Sequence, residues 1–186
     1  MPVYHSKLND KAKNCKKVCK AAVLPLYVGS VKGPAGTFKP QNSDNNKIMD
    51  YDIVDEALVY FRANIFFSVF EVEGSADLVL VYLTAWIADC LRKLFKDKTK
   101  EAAMKSAHQI GINKKFKVPG TNGFEFGAFF DKPKNNSEKQ LFVDYFQQIR
   151  HETLNRLIQR CYKNDGKQDK FWFQFQKRRF MNVKNM

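Results

Sequence analysis

The sequence predicts an all-α domain of about five helices, in which one apolar helix near residues 75–96 is surrounded by the others and long loops join them. Three observations support this prediction. The run from Leu78 to Leu91 has no polar face at any helical period, other stretches carry one apolar stripe at helical spacing, and 44% apolar content in 186 residues can form one core.

Residues 1–186 are predicted to form a single helical domain, with an extended segment and loop at 1–50 and a helical core at 51–186. Residues 1–20 are polar and Lys-rich, and the short apolar segment AAVLPLYV that follows is broken by Pro25. Turn-forming residues dominate 29–46, so we expect part of the loop at 36–49 to be poorly ordered.

The first core helix is predicted at 52–67. Asp52 is its expected N-cap, and Asp55 lies in the first turn. Its apolar stripe follows the spacing of an amphipathic helix and consists of Val54, Ala57, Leu58, Phe61 and Ile65.

The apolar helix at 75–96 is predicted to begin with Ser75 as N-cap after Gly74 and to end among Arg92, Lys93 and Lys96, where the helix dipole favours cations. A membrane span is excluded because it needs about 20 apolar residues, whereas this run has fourteen and contains Asp89. The residues expected to be almost fully buried are Leu83, Trp86, Ile87 and Cys90.

Thr99 is a predicted N-cap for a helix that Gly111 closes and that carries Met104, Ala107 and Ile110 on one side. Residues 112–134, rich in Gly and Pro, follow no helical period. We expect a long surface loop there, with exposed Phe side chains and room for a short hairpin.

The longest helix is predicted to open at 137 with a capping box of Ser137 and Gln140. Its apolar stripe comprises Leu141, Tyr145, Ile149, Leu157, Ile158 and Cys161, and its polar face comprises Asp144, Gln148, Asn155, Arg156 and Gln159. The tail fits a strand or a helix, and we favour a helix over 169–181 because a lone strand would have no partner.

The net charge of +13 indicates an acidic partner. The excess is +6 in 1–50 and +9 in 101–186, whereas 51–100 carries −2, so the basic excess lies outside the part of the chain that contains the apolar helix. Composition does not decide between an acidic protein surface and nucleic acid.

Four cysteines are too few for a disulfide framework, which indicates a reducing compartment. The stretch MPVYHSKLNDKAK resembles no targeting segment, so we expect a cytoplasmic protein.

No motif indicates catalysis or a cofactor. The stretch GSVKGPAGT at 29–37 lacks the Gly-Lys-Ser/Thr ending of a phosphate loop. Cys15 and Cys19 with His5 have no second ligand pair at zinc spacing, which favours surface thiols. His108 and His151 have no identifiable catalytic partner, and the acids Asp52, Asp55 and Glu56 suit a helix first turn.

Several stretches, in order and spacing, resemble the subunit 3 (21 kDa) family of the actin-related protein 2/3 complex, which nucleates branched actin filaments. They are MPVYHS at 1–6, VLPLYVGSVKGPA at 23–35, DIVDEALVYFRANIFF at 52–67, QQIRHET at 147–153 and QKRRFMN at 176–182. The resemblance covers nearly the whole chain. Residues 9–20, the loop at 36–49 and the more basic balance depart from the family pattern.

The resemblance implies a non-catalytic, cofactor-free structural subunit of the cytoskeleton with an all-α fold. It implies partners as well: chiefly actin-related protein 3, then actin-related protein 2, other subunits of the complex and the actin filament. A basic nucleic-acid-binding protein is the alternative that composition alone leaves open.

The candidate partner interface is the group Lys177, Arg178, Arg179 and Phe180 near the end of the chain. In a helix over 169–181, Phe171, Trp172 and Phe175 would pack inward, whereas Phe173 and Phe180 would point outward. An exposed aromatic side chain flanked by cations is typical of an interface anchor. The alternative is that Phe173 and Phe180 cover the core and the cations are solvated.

Overall fold

The computed structural model describes residues 3–27, 31–38, 51–113, 115–184 and 186. Within them the chain is mostly helical, although the all-α prediction is wrong in that two small sheets are also present. The α-helices are α1 (Asn9–Ala12), α2 (Ile53–Asn64), α3 (Ser75–Leu94), α4 (Lys100–Ile112), α5 (Asn136–Cys161) and α6 (Lys170–Phe173), and a 3₁₀ helix spans Phe180–Asn182. The loop expected to be poorly ordered lies outside the described residues from 39 onward.

Four two-residue strands form the sheets. β1 (Lys17–Val18) pairs antiparallel with β2 (Ala21–Ala22), and β3 (Leu26–Tyr27) pairs parallel with β4 (Thr37–Phe38). Cys19 and Lys20 join β1 to β2 with φ of 49° and 74°. Positive φ at both central positions is the geometry of the tight hairpin turn that matches strand twist. Strands this short show no alternation in sequence, which is why the pattern did not indicate them.

Helix α2 forms as predicted. The Asp52 carboxylate accepts hydrogen bonds from Val54 N at 3.0 Å and Asp55 N at 2.9 Å, which confirms the N-cap. The five residues of the predicted apolar stripe are all buried. Periodicity and capping chemistry therefore agree with the tertiary structure here.

Every residue of α3 from Ala76 to Leu91 is buried. The helix packs against α1, α2, α4, α5 and α6 and against β2. Leu83, Trp86, Ile87 and Cys90 are buried, as predicted. None of the described helices combines the length and apolarity that crossing a bilayer requires.

The N-terminus of α3 differs from the prediction, because Gly74 and not Ser75 is the N-cap residue. The capping side chain comes from α1: Asn9 Oδ1 accepts from Ala76 N at 3.1 Å and from Asp77 N at 3.2 Å. A distant residue thus satisfies amide groups that a local serine usually serves.

The ends of α4 and α5 needed two corrections. Thr99 caps α4 as predicted, but the helix continues through Gly111 to Ile112. A Cβ at Gly111 would lie 2.6 Å from His151 Cδ2, so this glycine permits close packing of α4 on α5 and does not end the helix. Helix α5 begins with Asn135 as N-cap, whose Oδ1 accepts from Glu138 N at 2.8 Å, and the predicted capping box at Ser137 is wrong.

The face of α5 predicted to be polar is partly covered. Gln148 is buried: its Oε1 accepts from Ala35 N at 2.9 Å and its Nε2 donates to Val31 O at 3.1 Å. A Cβ at Gly33 would clash with the Gln148 side chain. The glycine-rich stretch therefore lets the backbone approach α5.

The segment between α4 and α5 contributes to the core. Phe126 and Phe130, expected to be exposed, are buried. The Phe126 ring lies 5.9 Å from that of Tyr82 in α3, and the Phe130 ring lies 6.1 Å from that of Phe142 in α5. Aromatic contacts order this segment, so a lack of helical period did not mean a solvated loop.

Candidate partner interface

The predicted helix over 169–181 is wrong, and this changes which aromatic side chains reach the surface. Helix α6 ends at Phe173, turns follow, and Met181 has a φ of 49°. Trp172 and Phe175 are buried as predicted, whereas Phe171, expected to face inward, is 50% exposed.

Phe180 and Phe173 are buried, which corrects the interface prediction for both. Phe180 is 1% exposed and its ring lies 6.2 Å from that of Phe70. Phe173 packs with its ring 5.6 Å from that of Tyr162. The core-covering alternative describes these two side chains, so neither is an exposed anchor.

The three predicted cations do reach the surface. Lys177, Arg178 and Arg179 are all exposed, and among the described residues none of them forms an ion pair. The Arg178 guanidinium lies 5.3 Å from the centroid of the Phe66 ring. An exposed aromatic side chain therefore does lie beside Arg178, but it comes from the turn that follows α2.

Sequence reasoning missed the aromatic part of this surface. Phe66 is 51% exposed, its ring edge-to-face with Phe175 at 5.9 Å. Phe171 lies under the Arg62 guanidinium at 3.7 Å. The available signal was the four-residue spacing between Arg62, exposed in the last turn of α2, and Phe66, in the turn that follows the helix.

We call this group the cationic–aromatic surface; its members are Arg62, Phe66, Phe171, Lys177, Arg178 and Arg179. Guanidinium groups over exposed rings keep their charge while covering apolar area. Such a surface suits an acidic partner that also offers apolar contacts, since Arg and aromatic residues are enriched in interface cores.

A second cluster, His5, Glu73 and Asp77, is close enough to be tested as a metal site. Asp77 Oδ1 accepts from Ser6 N at 2.7 Å, and Oδ2 accepts from Glu73 N at 3.0 Å and lies 2.8 Å from His5 Nδ1. Because both Asp77 oxygens are occupied, the group fits a hydrogen-bonded attachment of the N-terminal segment better than a metal site.

The cysteines and histidines do not assemble a reactive site among the described residues. All four cysteines are free, and Cys19, interpreted as a surface thiol, is buried. Burial raises the pKa of the Cys19 thiol to about 12, so it is a poor nucleophile and metal ligand. Burial, with the nearby His108, lowers the pKa of His151, which lies against Gly111 of α4.

Comparison with protein families assigns the chain. The family described as "P21-Arc: ARP2/3 complex ARPC3 (21 kDa) subunit" matches residues 1–185. The chain belongs to this family. The P21-Arc match includes every residue of the cationic–aromatic surface and confirms the resemblance drawn from the five sequence stretches.

Individual P21-Arc relatives match over almost their full length. Proteins named actin-related protein 2/3 complex subunit 3 from Arabidopsis thaliana and Dictyostelium discoideum are each 39% identical over 181 residues, covering 97% of this chain and 98% of theirs. The Saccharomyces cerevisiae protein of the same name is 38% identical over 186 residues and covers 98% of both chains.

Proposed function

We propose that this protein is a non-catalytic structural subunit of the actin-related protein 2/3 complex and supports the nucleation of branched actin filaments. The observation that carries the proposal is the match of the P21-Arc family over residues 1–185, together with relatives of that name at 32–39% identity. An identity in this range over whole chains supports a shared role, and the other subunits of the complex are then its partners.

The finer assignment concerns which partners it meets. We propose that it docks chiefly on actin-related protein 3, and that it approaches actin-related protein 2 and the actin filament in the active complex. The net charge of +13 and the exposed cations Lys177, Arg178 and Arg179 support an acidic partner. We assign it to the cytoplasmic cytoskeleton, with no cofactor of its own.

We also propose that α3 is the centre of the scaffold. Its residues from Ala76 to Leu91 are buried, and the five other described α-helices and the 3₁₀ helix pack against it. A subunit of this kind contributes a rigid shape, so the distances between its partner-binding surfaces do not change when partners bind.

Affinity purification of the tagged full chain from its own cells tests the proposal. We expect six other polypeptides, two of them actin-like, to co-purify in constant ratio and to survive nuclease treatment. Loss of the associated material on nuclease treatment would instead support the nucleic-acid alternative, which the comparisons do not favour.

A functional test uses a yeast strain that lacks its own subunit 3, with the Saccharomyces cerevisiae protein as positive control. Restored actin-patch assembly by this chain supports the proposal. A chain that folds and is expressed but neither restores patches nor co-purifies with actin-like proteins contradicts it.

A further inference from the structure

A cavity of about 120 Å³ opens between α5 and the segment that follows α4. Its walls are largely aromatic, and its mouth carries two exposed lysines. The lining includes Tyr82, Phe116, Phe124, Arg150, Lys115 and Lys117. Glu125, which is exposed, and Met186, which carries the terminal carboxylate, also line it, so the three cations still outnumber the two acidic groups.

Arg150 is the unusual member of this lining because it is a buried cation with no counterion in the part of the chain that the structure describes. It is only 6% exposed, and Nη1 donates to the Tyr82 hydroxyl at 2.9 Å. Its guanidinium lies 3.7 Å from the Trp86 ring centroid and 4.4 Å from that of Phe116. Among the described residues no carboxylate forms an ion pair with it.

A buried charge left unpaired is costly, and stacking on rings offsets only part of that cost. The stacking also has a geometric effect. Two rings and one hydroxyl fix the plane of the guanidinium, so its remaining N–H donors form a rigid fork. Such a fork fits the two oxygens of a carboxylate.

The size and polarity of the cavity limit what can enter. A volume of about 120 Å³ holds the end of one side chain and is well below the several hundred Å³ typical of nucleotide or cofactor sites. Aromatic walls suit the methylene groups of a side chain, and Lys115 and Lys117 at the mouth would attract an acidic segment.

We infer that this cavity receives an aspartate or glutamate side chain from a neighbouring subunit of the complex, with its carboxylate on Arg150. This inference rests on the proposed function, since it requires a protein partner. It adds a second contact, built on α5 and residues 115–126 and distinct from the cationic–aromatic surface.

Reconstitution of the complex from purified subunits tests the inference. The affinity of this subunit for the subcomplex that lacks it is measured for wild type, Arg150→Met and the double variant Lys115→Glu/Lys117→Glu. We expect Arg150→Met to weaken binding by about thirtyfold or more, because a partner carboxylate would lose its charge pair. The rim variant should bind more slowly, with an unchanged melting temperature of the free chain.

The control for the rim variant is Lys105→Glu/Lys139→Glu, which makes the same change in net charge at exposed positions outside the cavity. It should change affinity by less than about threefold. Since Arg150→Met removes a buried side chain, its affinity is interpreted only if the free variant still melts cooperatively. If it does not, the rim variant decides.

The possible results separate the inference from the proposed function. A wild-type chain that fails to bind the subcomplex contradicts the proposed function itself. Wild-type affinity in the rim variant and in a folded Arg150→Met overturns only the inference. A comparison of inorganic phosphate with chloride at equal ionic strength gives one more outcome. If phosphate stabilises wild type but not Arg150→Met, and both chains assemble equally, the inference is also overturned, because the cavity is then a site for a free anion.

Discussion

The buried acidic side chains at the start of α2 show how individual residues connect distant parts of the chain. Asp52 Oδ1 accepts from Arg156 Nη1 of α5 at 2.7 Å. Glu56 accepts from the Ser6 hydroxyl and, at 2.8 Å, from Lys7 N. The N-cap position explains Asp52 from sequence alone. Glu56 does lie in the first turn, but that position does not reveal its partners, which lie 49 and 50 residues away. Contacts across such separations leave no local signal.

Glu56 predicts a pH effect on stability. Burial raises the pKa of its carboxyl, opposed by the hydrogen bonds from Ser6 and Lys7. A raised pKa means that the folded chain binds the proton more tightly than the unfolded chain. The stabilisation that Glu56 gives the folded chain is therefore fully present at pH values below the ordinary glutamate pKa. It is lost as pH rises through the raised pKa.

We expect the free energy of unfolding of wild type to fall, relative to that of Glu56→Gln, as pH rises from about 4 towards neutrality. Denaturation at several pH values measures this difference, in which the titration of the other groups largely cancels. A difference that is independent of pH would contradict the assignment.

Trp86 is the residue whose removal should cost most. Its ring is fully buried, its Nε1 donates to Arg150 O at 3.0 Å, and the Arg150 guanidinium lies over its face. We expect Trp86→Ala to lower the free energy of unfolding by about 3–5 kcal/mol, measured by urea denaturation. Val69→Ala, at an exposed position, is the control and should change it by less than about 0.5 kcal/mol. Equal stability of both variants would contradict the packing of α3.

At the scale of elements, the long helices were predictable and their ends were less so. The stripes of α2 and α5 are periodic enough to indicate buried faces, and Asp52 and Thr99 are local caps that sequence can identify. The cap of α3 comes from Asn9, and Gly111 lies inside α4 because His151 occupies the space a Cβ would need. Both depend on a neighbouring element, which periodicity does not report.

Gly111 predicts a sign reversal between two backgrounds. In wild type, Gly111→Ala should destabilise by about 1–3 kcal/mol, because the new Cβ would meet the His151 ring. In a His151→Ala background the same change should stabilise by up to about 1 kcal/mol, since alanine is the better helix former. A double-mutant cycle of thermal unfolding measures the coupling. Stabilisation in both backgrounds would show that α4 and α5 are not in close contact there.

At the scale of the whole molecule, the basic charge was readable from composition but its arrangement was not. The three cations at 177–179 reach the surface as predicted, yet the exposed aromatic side chain beside Arg178 is Phe66 and not Phe180. The orientation of each aromatic side chain follows from α6 ending at Phe173. The backbone changes direction after four helical residues because Trp172 packs on Phe61 and Phe180 packs on Phe70. A periodic sequence pattern does not indicate such contacts.

The cationic–aromatic surface predicts an assembly defect without a folding defect. We expect Arg178→Glu/Arg179→Glu to keep the wild-type melting temperature, because both side chains are exposed, and to lose incorporation into the complex. The association rate of wild type should also fall as salt rises, since exposed charges are screened beyond about 8 Å at physiological ionic strength.

The control with the same change in net charge is Lys105→Glu/Lys139→Glu, at exposed positions on α4 and α5. Normal incorporation of the arginine variant, or an association rate that is flat across added salt, would leave these cations as solvated surface.

The attachment of the N-terminal segment has a consequence for the order in which the protein is made. Ser6 and Asn9 bind residues that lie 50 to 71 positions later, and Cys19 and Leu24 bind Glu138 and Tyr145, 119 and 121 positions later. The ribosome delivers these residues well before any of their partners, so each of these hydrogen bonds forms only after a later element has been made. The hairpin can pack on α3 through β2 once α3 has been made, but the hydrogen bonds of Cys19 and Leu24 cannot form before α5 has left the exit tunnel.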